Sequence, residues 1–201
     1  ERPACFFLLH PPIAMKSALR ARDFSGFSTL LSDAVSLTPV PVNDVAAGLG
    51  ALRMSVYGAR ASIGASGCIE AILSCMRVCE KEQDVQFLCL NVLYYLLDHP
   101  PNREAALGSG LLDLLLKAFQ NFPENKKIQS NASGIVWITA ADLNCIDRSS
   151  GLYRALQSAC KLQHFQNLEV GQRNPYRFKL VMPERALGRL EQNFVDHAES
   201  F

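Results

Sequence analysis

The stretch Ser66–Leu73, SGCIEAIL, returns 43 residues later as Ser109–Leu116, SGLLDLLL. The match continues without a gap, because the Val85–Gln86 pair aligns with the Ile128–Gln129 pair at the same offset. A period of roughly 40 to 47 residues made of helical patterns is typical of stacked helical repeats. The sequence therefore predicts an all-α protein built from repeats.

Each copy of this period contains a short, a medium and a long apolar helical pattern. Gly67 and Gly110 lie where the short helix meets the medium one, and a sharp corner there favours a residue without a Cβ atom. The predicted helices are Ile13–Arg22, Phe24–Leu37 and Asp44–Tyr57 in the first copy, Arg60–Ala65, Cys68–Cys79 and Asp84–Leu97 in the second, and Asn102–Leu107, Leu111–Phe122 and Asn125–Ala140 in the third. Asn43 is the predicted N-cap of the helix that begins at Asp44.

The ends of the chain depart from this period. Ser150 and Gly151 restart the pattern in a helix that runs to about Leu168, and Pro183 precedes a last helix that ends at Ala198. A divergent final unit is what helical arrays use to cover the open end of their core. We expect one elongated domain over residues 1–201, with the tail of an earlier repeat or a capping segment at 1–12, repeats at 13–58, 59–101 and 102–150, and a degenerate repeat with its cap at 151–201.

The triplet of helices, with glycine before the second one, resembles the armadillo repeat of importin-alpha and beta-catenin over about Ile13–Leu168. HEAT repeats are the nearest alternative, but they lack the separate short helix. The resemblance implies a right-handed α-solenoid whose third helices line a concave groove. In the family, an asparagine ladder and tryptophan pockets on these helices grip extended peptides. Here the ladder positions hold Ser55, Tyr95 and Ile138, and the tryptophan positions hold Ala51, Asn91 and Gly134.

The loss of both ladders favours a surface for other proteins over the peptide grip of the family. We expect a non-catalytic scaffold or a structural subunit of a larger assembly, with its partners bound on the third helices. The candidate partner-binding residues are Arg53, Ser55, Asn91, Tyr95, Ile138 and Asp142. The neighbours Tyr94 and Tyr95 point about 100° apart on a helix, so one of them should face the core, and the sequence leaves open which.

Two other functions stay open at this point. One is a receptor that grips extended peptides in a concave groove. The other is RNA binding through a basic and aromatic segment near the C-terminus, because aromatic rings between cations can stack on bases. The candidate residues of that segment are Arg173, Tyr176, Arg177, Phe178 and Lys179. A net charge of +1 gives the chain no general attraction for nucleic acid or for an anionic membrane.

No catalytic residue, metal site or cofactor is expected. The four histidines are scattered, whereas a zinc site needs three or four converging ligands. The glycines of Gly48–Gly50 and Gly64–Gly67 follow no strand, as a phosphate-binding loop must, and predict close packing and a corner. The longest strongly apolar run, Phe87–Leu97, has 11 residues, but a membrane-spanning helix takes about 20.

The seven cysteines predict reduced thiols in the core of an intracellular protein. Their number is odd and no Cys-x-x-Cys occurs, while Cys68, Cys75 and Cys79 follow helical spacing on an apolar stripe. The expected compartment is reducing, either the cytoplasm or an organelle. The chain begins at Glu1 without an initiator methionine, which indicates a processed chain or a fragment; a removed mitochondrial transit peptide is one route to such a start.

Overall fold

Every regular element that the computed structural model describes is an α-helix. The described residues are 11–140, 150–169 and 182–198, and no β-strand occurs in these ranges. The all-α prediction is therefore confirmed. The helices are α1 Pro11–Arg20, α2 Phe24–Val35, α3 Val42–Ser55, α4 Arg60–Ala65, α5 Cys68–Val78, α6 Gln83–Leu96, α7 Pro100–Gly108, α8 Leu111–Asn121, α9 Lys126–Thr139, α10 Gly151–Glu169 and α11 Met182–Ala198.

The period of the sequence is also the period of the helices. α5 and α8 both have 11 residues and α6 and α9 both have 14, and within each pair the first and last residues are 43 positions apart. Gly67 and Gly110, which precede α5 and α8, have φ values of +80° and +83°. This left-handed conformation is unstrained only for glycine. The predicted glycine corners are therefore confirmed.

The prediction for the start of α3 is wrong. α3 begins at Val42, and Asn43 lies inside it instead of capping it. The backbone amides of Asp44 and Val45 both donate to the carbonyl oxygen of Pro41 at 3.0 Å, so the helical hydrogen bonds begin two residues earlier than expected. The corresponding asparagine before α9 does cap its helix, because Oδ1 of Asn125 accepts from the amides of Lys127 and Ile128 at 3.1 Å.

The chain divides into two compact units, Glu1–Ser109 and Gly110–Phe201. In the first unit α2 packs on α5 and α3 packs on α6, so second helices contact second helices and third helices contact third helices. α1 packs on both α2 and α3. The core of this unit is aliphatic and aromatic, with fully buried side chains that include Met15, Phe27, Leu31, Leu49, Leu52, Ile72, Leu90 and Leu93.

The second unit has its own core. α9 packs on α8 and α11, and α10 packs on α8 and α11. Fully buried side chains from three of its helices include Leu115, Ile128, Ile135 and Leu156. Tyr153 on α10 donates its hydroxyl to Oε1 of Glu191 on α11 at 2.7 Å, which adds a polar tie between these helices.

A buried glutamine joins the second and third helices of each period. Nε2 of Gln86 donates to the carbonyl oxygens of Met76 at 2.9 Å and Cys79 at 3.0 Å, at the end of α5. Nε2 of Gln129 donates in the same way to Phe119 at 3.1 Å and Phe122 at 2.9 Å, at the end of α8. The last carbonyls of a helix have no partner within the helix. The glutamines donate to them, and the carbonyl oxygens of Cys79 and Phe122 also accept from the backbone amides of Glu82 and Asn125. We call each arrangement a glutamine clamp.

Candidate partner-binding surface

The C-terminal ends of α3 and α6 carry an exposed cluster of large side chains. Met54 is 78% exposed and Tyr57, just beyond the end of α3, is 63% exposed. The two residues are three positions apart and therefore lie on the same side of the chain as it leaves the helix. Because α3 packs beside α6, this side meets the end of α6.

Aromatic rings connect the two helix ends. The Tyr57 and Tyr95 ring centroids are 5.0 Å apart at an interplanar angle of 52°, and those of Tyr94 and Tyr95 are 5.2 Å apart at 81°. These are the tilted and edge-on arrangements that aromatic pairs prefer. We refer to Met54, Tyr57, Tyr94 and Tyr95 as the tyrosine surface.

The expectation that one of Tyr94 and Tyr95 lies in the core is wrong, because both are half-buried. The two rings contact each other edge-on. Tyr95 thus belongs to an exposed cluster, although Met54 and Tyr57 are not among the six residues predicted from the sequence. The sequence signal for Tyr57 is its helical spacing of four positions from Arg53, whereas Met54, one position after Arg53, has no such signal.

Arg53 adds one positive charge beside the tyrosine surface. Its side chain is exposed and forms no ion pair with any residue that the structure describes. The only carboxylate within residues 50–58 and 91–98, which form the two helix ends, is that of Asp98. Asp98 accepts from Arg60 at 2.6 Å and is thus already paired. The free charge at these helix ends is positive.

Asn91 does not belong to the surface, which corrects the prediction made from the sequence. It is only 1% exposed. Eight residues of α6 are buried, including the polar Gln86 and Asn91, so the helix has no polar stripe that would mark its outer side. Ser55, another predicted residue, is half-buried at the end of α3.

The remaining predicted residues lie in the second unit or outside the described part. Ile138 is half-buried on α9, next to Trp137, whose ring centroid lies 5.4 Å from the guanidinium carbon of Arg189 on α11. Asp142 lies outside the described residues, as do Arg173, Tyr176, Arg177, Phe178 and Lys179. Of the six predicted partner-binding residues, Tyr95 alone belongs to the tyrosine surface, and Arg53 precedes Met54 in the chain.

Comparison with known proteins adds no family. No protein-family model, curated protein or solved structure matches this chain.

The buried cysteines are not placed for catalysis. Cys68, Cys75, Cys79 and Cys89 are free thiols in the first unit, as predicted, and all four are buried. Burial raises the pKa of Cys79 to about 11, with smaller contributions from Cys75 and Glu82, and it raises the pKa of Cys89 well above its usual value. Since the thiolate is the nucleophile, these groups behave as small apolar side chains at neutral pH.

The described residues contain no further candidate for metal or membrane chemistry. Within residues 11–140, 150–169 and 182–198, no three His, Cys, Asp or Glu side chains are grouped so that they could hold a metal ion. No helix of the described part is long and apolar enough to cross a bilayer.

Proposed function

We propose that this chain is a non-catalytic protein-binding scaffold or subunit, built from armadillo-like helical repeats, which binds a partner through the tyrosine surface. The repeats are supported by the offset of 43 residues between α5 and α8 and between α6 and α9. They are also supported by the left-handed glycine before each second helix and by the glutamine clamp, which occurs in both periods.

One observation carries the proposal for binding. Met54 and Tyr57 are the two most exposed large hydrophobic side chains of the described residues. The ring of Tyr57 is clustered with those of Tyr95 and Tyr94, and Met54 precedes Tyr57 by three positions. Single exposed apolar residues are common on any surface, but a clustered group is typical of an interaction site. Tyrosine is also enriched among the residues that dominate binding energy at protein interfaces.

The proposal predicts that the double substitution Met54→Ser and Tyr57→Ser removes partner binding without unfolding the chain. Both side chains are mostly exposed, so their replacement should change the free energy of unfolding by less than about 0.5 kcal/mol each. The measurement is quantitative mass spectrometry of proteins that the tagged chain retains from an extract of its source cells. We expect the proteins retained by the wild type to be depleted with the double variant.

The matched control is Val78→Ser, since Val78 is 53% exposed at the end of α5 and lies outside the tyrosine surface. This variant should retain the same proteins as the wild type. Equal retention by the double variant, with an unchanged circular dichroism spectrum, would show that the tyrosine surface does not bind these partners.

A further inference from the structure

We infer that the partner of the tyrosine surface is an acidic segment of another protein, in which one or more carboxylates flank apolar or aromatic anchors. This inference rests on the proposed function and specifies the chemistry of the partner. The tyrosine surface supplies the apolar contact area, and Arg53 supplies a positive charge next to it.

The distribution of charge along α3 and α6 supports an acidic partner. The acidic residues of α3 and α6, Asp44 and Asp84, lie in the first turns of their helices, at the ends opposite the tyrosine surface. Asp44 precedes Arg53 by nine residues, which corresponds to about 14 Å along a helix, too far for a direct ion pair. Neither Asp44 nor Asp84 is therefore placed to pair with Arg53, and the exposed guanidinium is open to a carboxylate of a partner.

A partner carboxylate is favoured by the chemistry of arginine. The guanidinium group offers a planar set of donors that matches a carboxylate with two parallel hydrogen bonds. A pair of this kind strengthens as apolar contacts with Met54 and Tyr57 exclude water from it, because the local dielectric falls. Apolar anchors and a carboxylate in the partner therefore support each other.

Two other occupants fit the charges less well. Two copies of the chain in a symmetric contact centred on the tyrosine surface would bring two Arg53 side chains together with no unpaired carboxylate from residues 50–58 or 91–98. Nucleic acid binds mainly through many phosphate contacts, and one arginine beside an aromatic cluster offers few of them. An acidic segment of another protein is therefore the partner that these charges favour.

The test uses a displayed library of random linear peptides, panned separately on the full-length wild type and on variants. The first comparison is with Met54→Ser and Tyr57→Ser, and it selects the peptides whose retention depends on the tyrosine surface. We expect this selected group to be enriched in Asp and Glu next to Leu, Phe or Trp. Arg53→Glu should weaken binding of the selected peptides by about tenfold or more, and should enrich basic peptides when it is panned itself.

The matched control is Lys81→Glu. Lys81 is an exposed cation without an ion pair in the described structure, and it precedes the N-terminus of α6, at the other end of the helix from Tyr94 and Tyr95. This reversal should leave the affinity for the selected peptides unchanged. Circular dichroism spectra of all variants must match that of the wild type for the comparison to count.

The possible failures are distinguishable. If no peptide depends on Met54 and Tyr57 while retention of the extract proteins does, the surface binds a folded partner and the inference is wrong. If neither depends on these residues, the proposed function itself is wrong. If peptides depend on these residues but show no acidic preference, or if Arg53→Glu binds them as the wild type does, the surface binds a partner and the inference about its charge is wrong. Sedimentation showing a dimer that the double substitution abolishes would identify the occupant as a second copy and also overturn the inference.

Discussion

Gly64 lies against the side-chain amide of Asn102 in the first unit. Nδ2 of Asn102 donates to the carbonyl oxygens of Arg60 at 3.0 Å and Leu96 at 2.9 Å, which ties the start of α4 to the end of α6. A Cβ atom on Gly64 would overlap the side-chain amide of Asn102. Since Asn102 is buried, its amide cannot move aside without losing these two bonds.

We therefore predict that Gly64→Ala lowers the free energy of unfolding by about 1 to 3 kcal/mol, the usual range for overpacking. Urea unfolding followed by circular dichroism measures this change. The matched control is Gly50→Ala inside α3, where an added Cβ would meet no atom within 4 Å. This control should be neutral or stabilising by up to about 1 kcal/mol, because alanine favours the helix. Equal effects of the two substitutions would contradict the assigned packing.

The sequence predicted part of this detail. Glycine at 64 and at 48 indicates close packing, and an added Cβ would indeed meet Asn102 at the first position and the sulfur of Met15 at the second. Gly50 belongs to the same sequence pattern but faces open space. A glycine in a sequence shows that a Cβ is absent, but only the packing of other elements decides whether a Cβ would fit.

At the scale of elements, the glutamine clamp determines how a second helix ends against a third one. Gln86 is buried, and its side-chain amide is the donor for two carbonyl oxygens at the end of α5. A carbonyl left without a donor in a buried position costs about 1 to 3 kcal/mol. The clamp is thus a polar contact that stabilises the packing of α6 against the end of α5.

Gln86→Met keeps the approximate volume of the side chain and removes both donors. We expect it to lower the free energy of unfolding by about 1 to 3 kcal/mol, since the carbonyl oxygen of Met76 loses its side-chain donor and that of Cys79 keeps only the backbone amide of Glu82. Gln83→Met, at the exposed first position of the same helix, is the matched control and should change it by less than about 0.5 kcal/mol. Chemical denaturation of the two variants provides the test, and a loss below about 0.5 kcal/mol for Gln86→Met would exclude a structural role for the clamp.

Helix positions followed from the sequence, whereas the outward side of α6 did not. The apolar spacing and the corner glycines gave α4 its observed bounds and placed the ends of α5 and α8 within one residue. α6 is different because residues around its whole circumference are buried, among them Cys89, Asn91 and Leu93. A helix without a polar stripe has no periodicity that identifies an exposed side, so Asn91 was misassigned.

At the scale of the whole molecule, four thiols with raised pKa values affect how stability responds to pH. Burial is the main cause at each of them and raises the pKa of Cys79 and Cys160 from 9.0 to about 11, while those of Cys68 and Cys89 also increase. Between about pH 9 and pH 11, Cys79 and Cys160 have lost their thiol protons in the unfolded chain but still hold them in the folded chain. The stabilisation is therefore complete below about pH 9 and is lost as the pH rises toward about 11.

We predict that the free energy of unfolding falls more steeply above about pH 9 for the wild type than for a variant with Cys79→Ala and Cys160→Ala. Urea unfolding in a reducing buffer at a series of pH values measures both slopes. Titration of tyrosines and lysines contributes to both proteins, so the difference between the slopes reports the two thiols. Identical slopes would show that these thiols titrate alike in the folded and unfolded chains.

The repeats could be predicted from the sequence because the corner glycine and the clamp glutamine recur 43 residues apart. The tyrosine surface, in contrast, combines residues of two helices. The period of 43 residues does not identify Met54 and Tyr57, because α3 and α6 begin 41 residues apart and so fall outside that period. Their grouping with Tyr94 and Tyr95 arises only when α3 packs beside α6. A surface assembled from separate helices in this way has no local signature in the chain.

The four buried thiols of the first unit also give the protein an internal reporter of its own motions. A thiol-specific reagent can reach Cys75 or Cys89 only during moments when α5 and α6 separate, because neither side chain is exposed in the folded state. The rate of modification at each cysteine therefore measures how often that part of the chain opens. Local unfolding can be followed at the joint between two helices in the unaltered protein, without an added label.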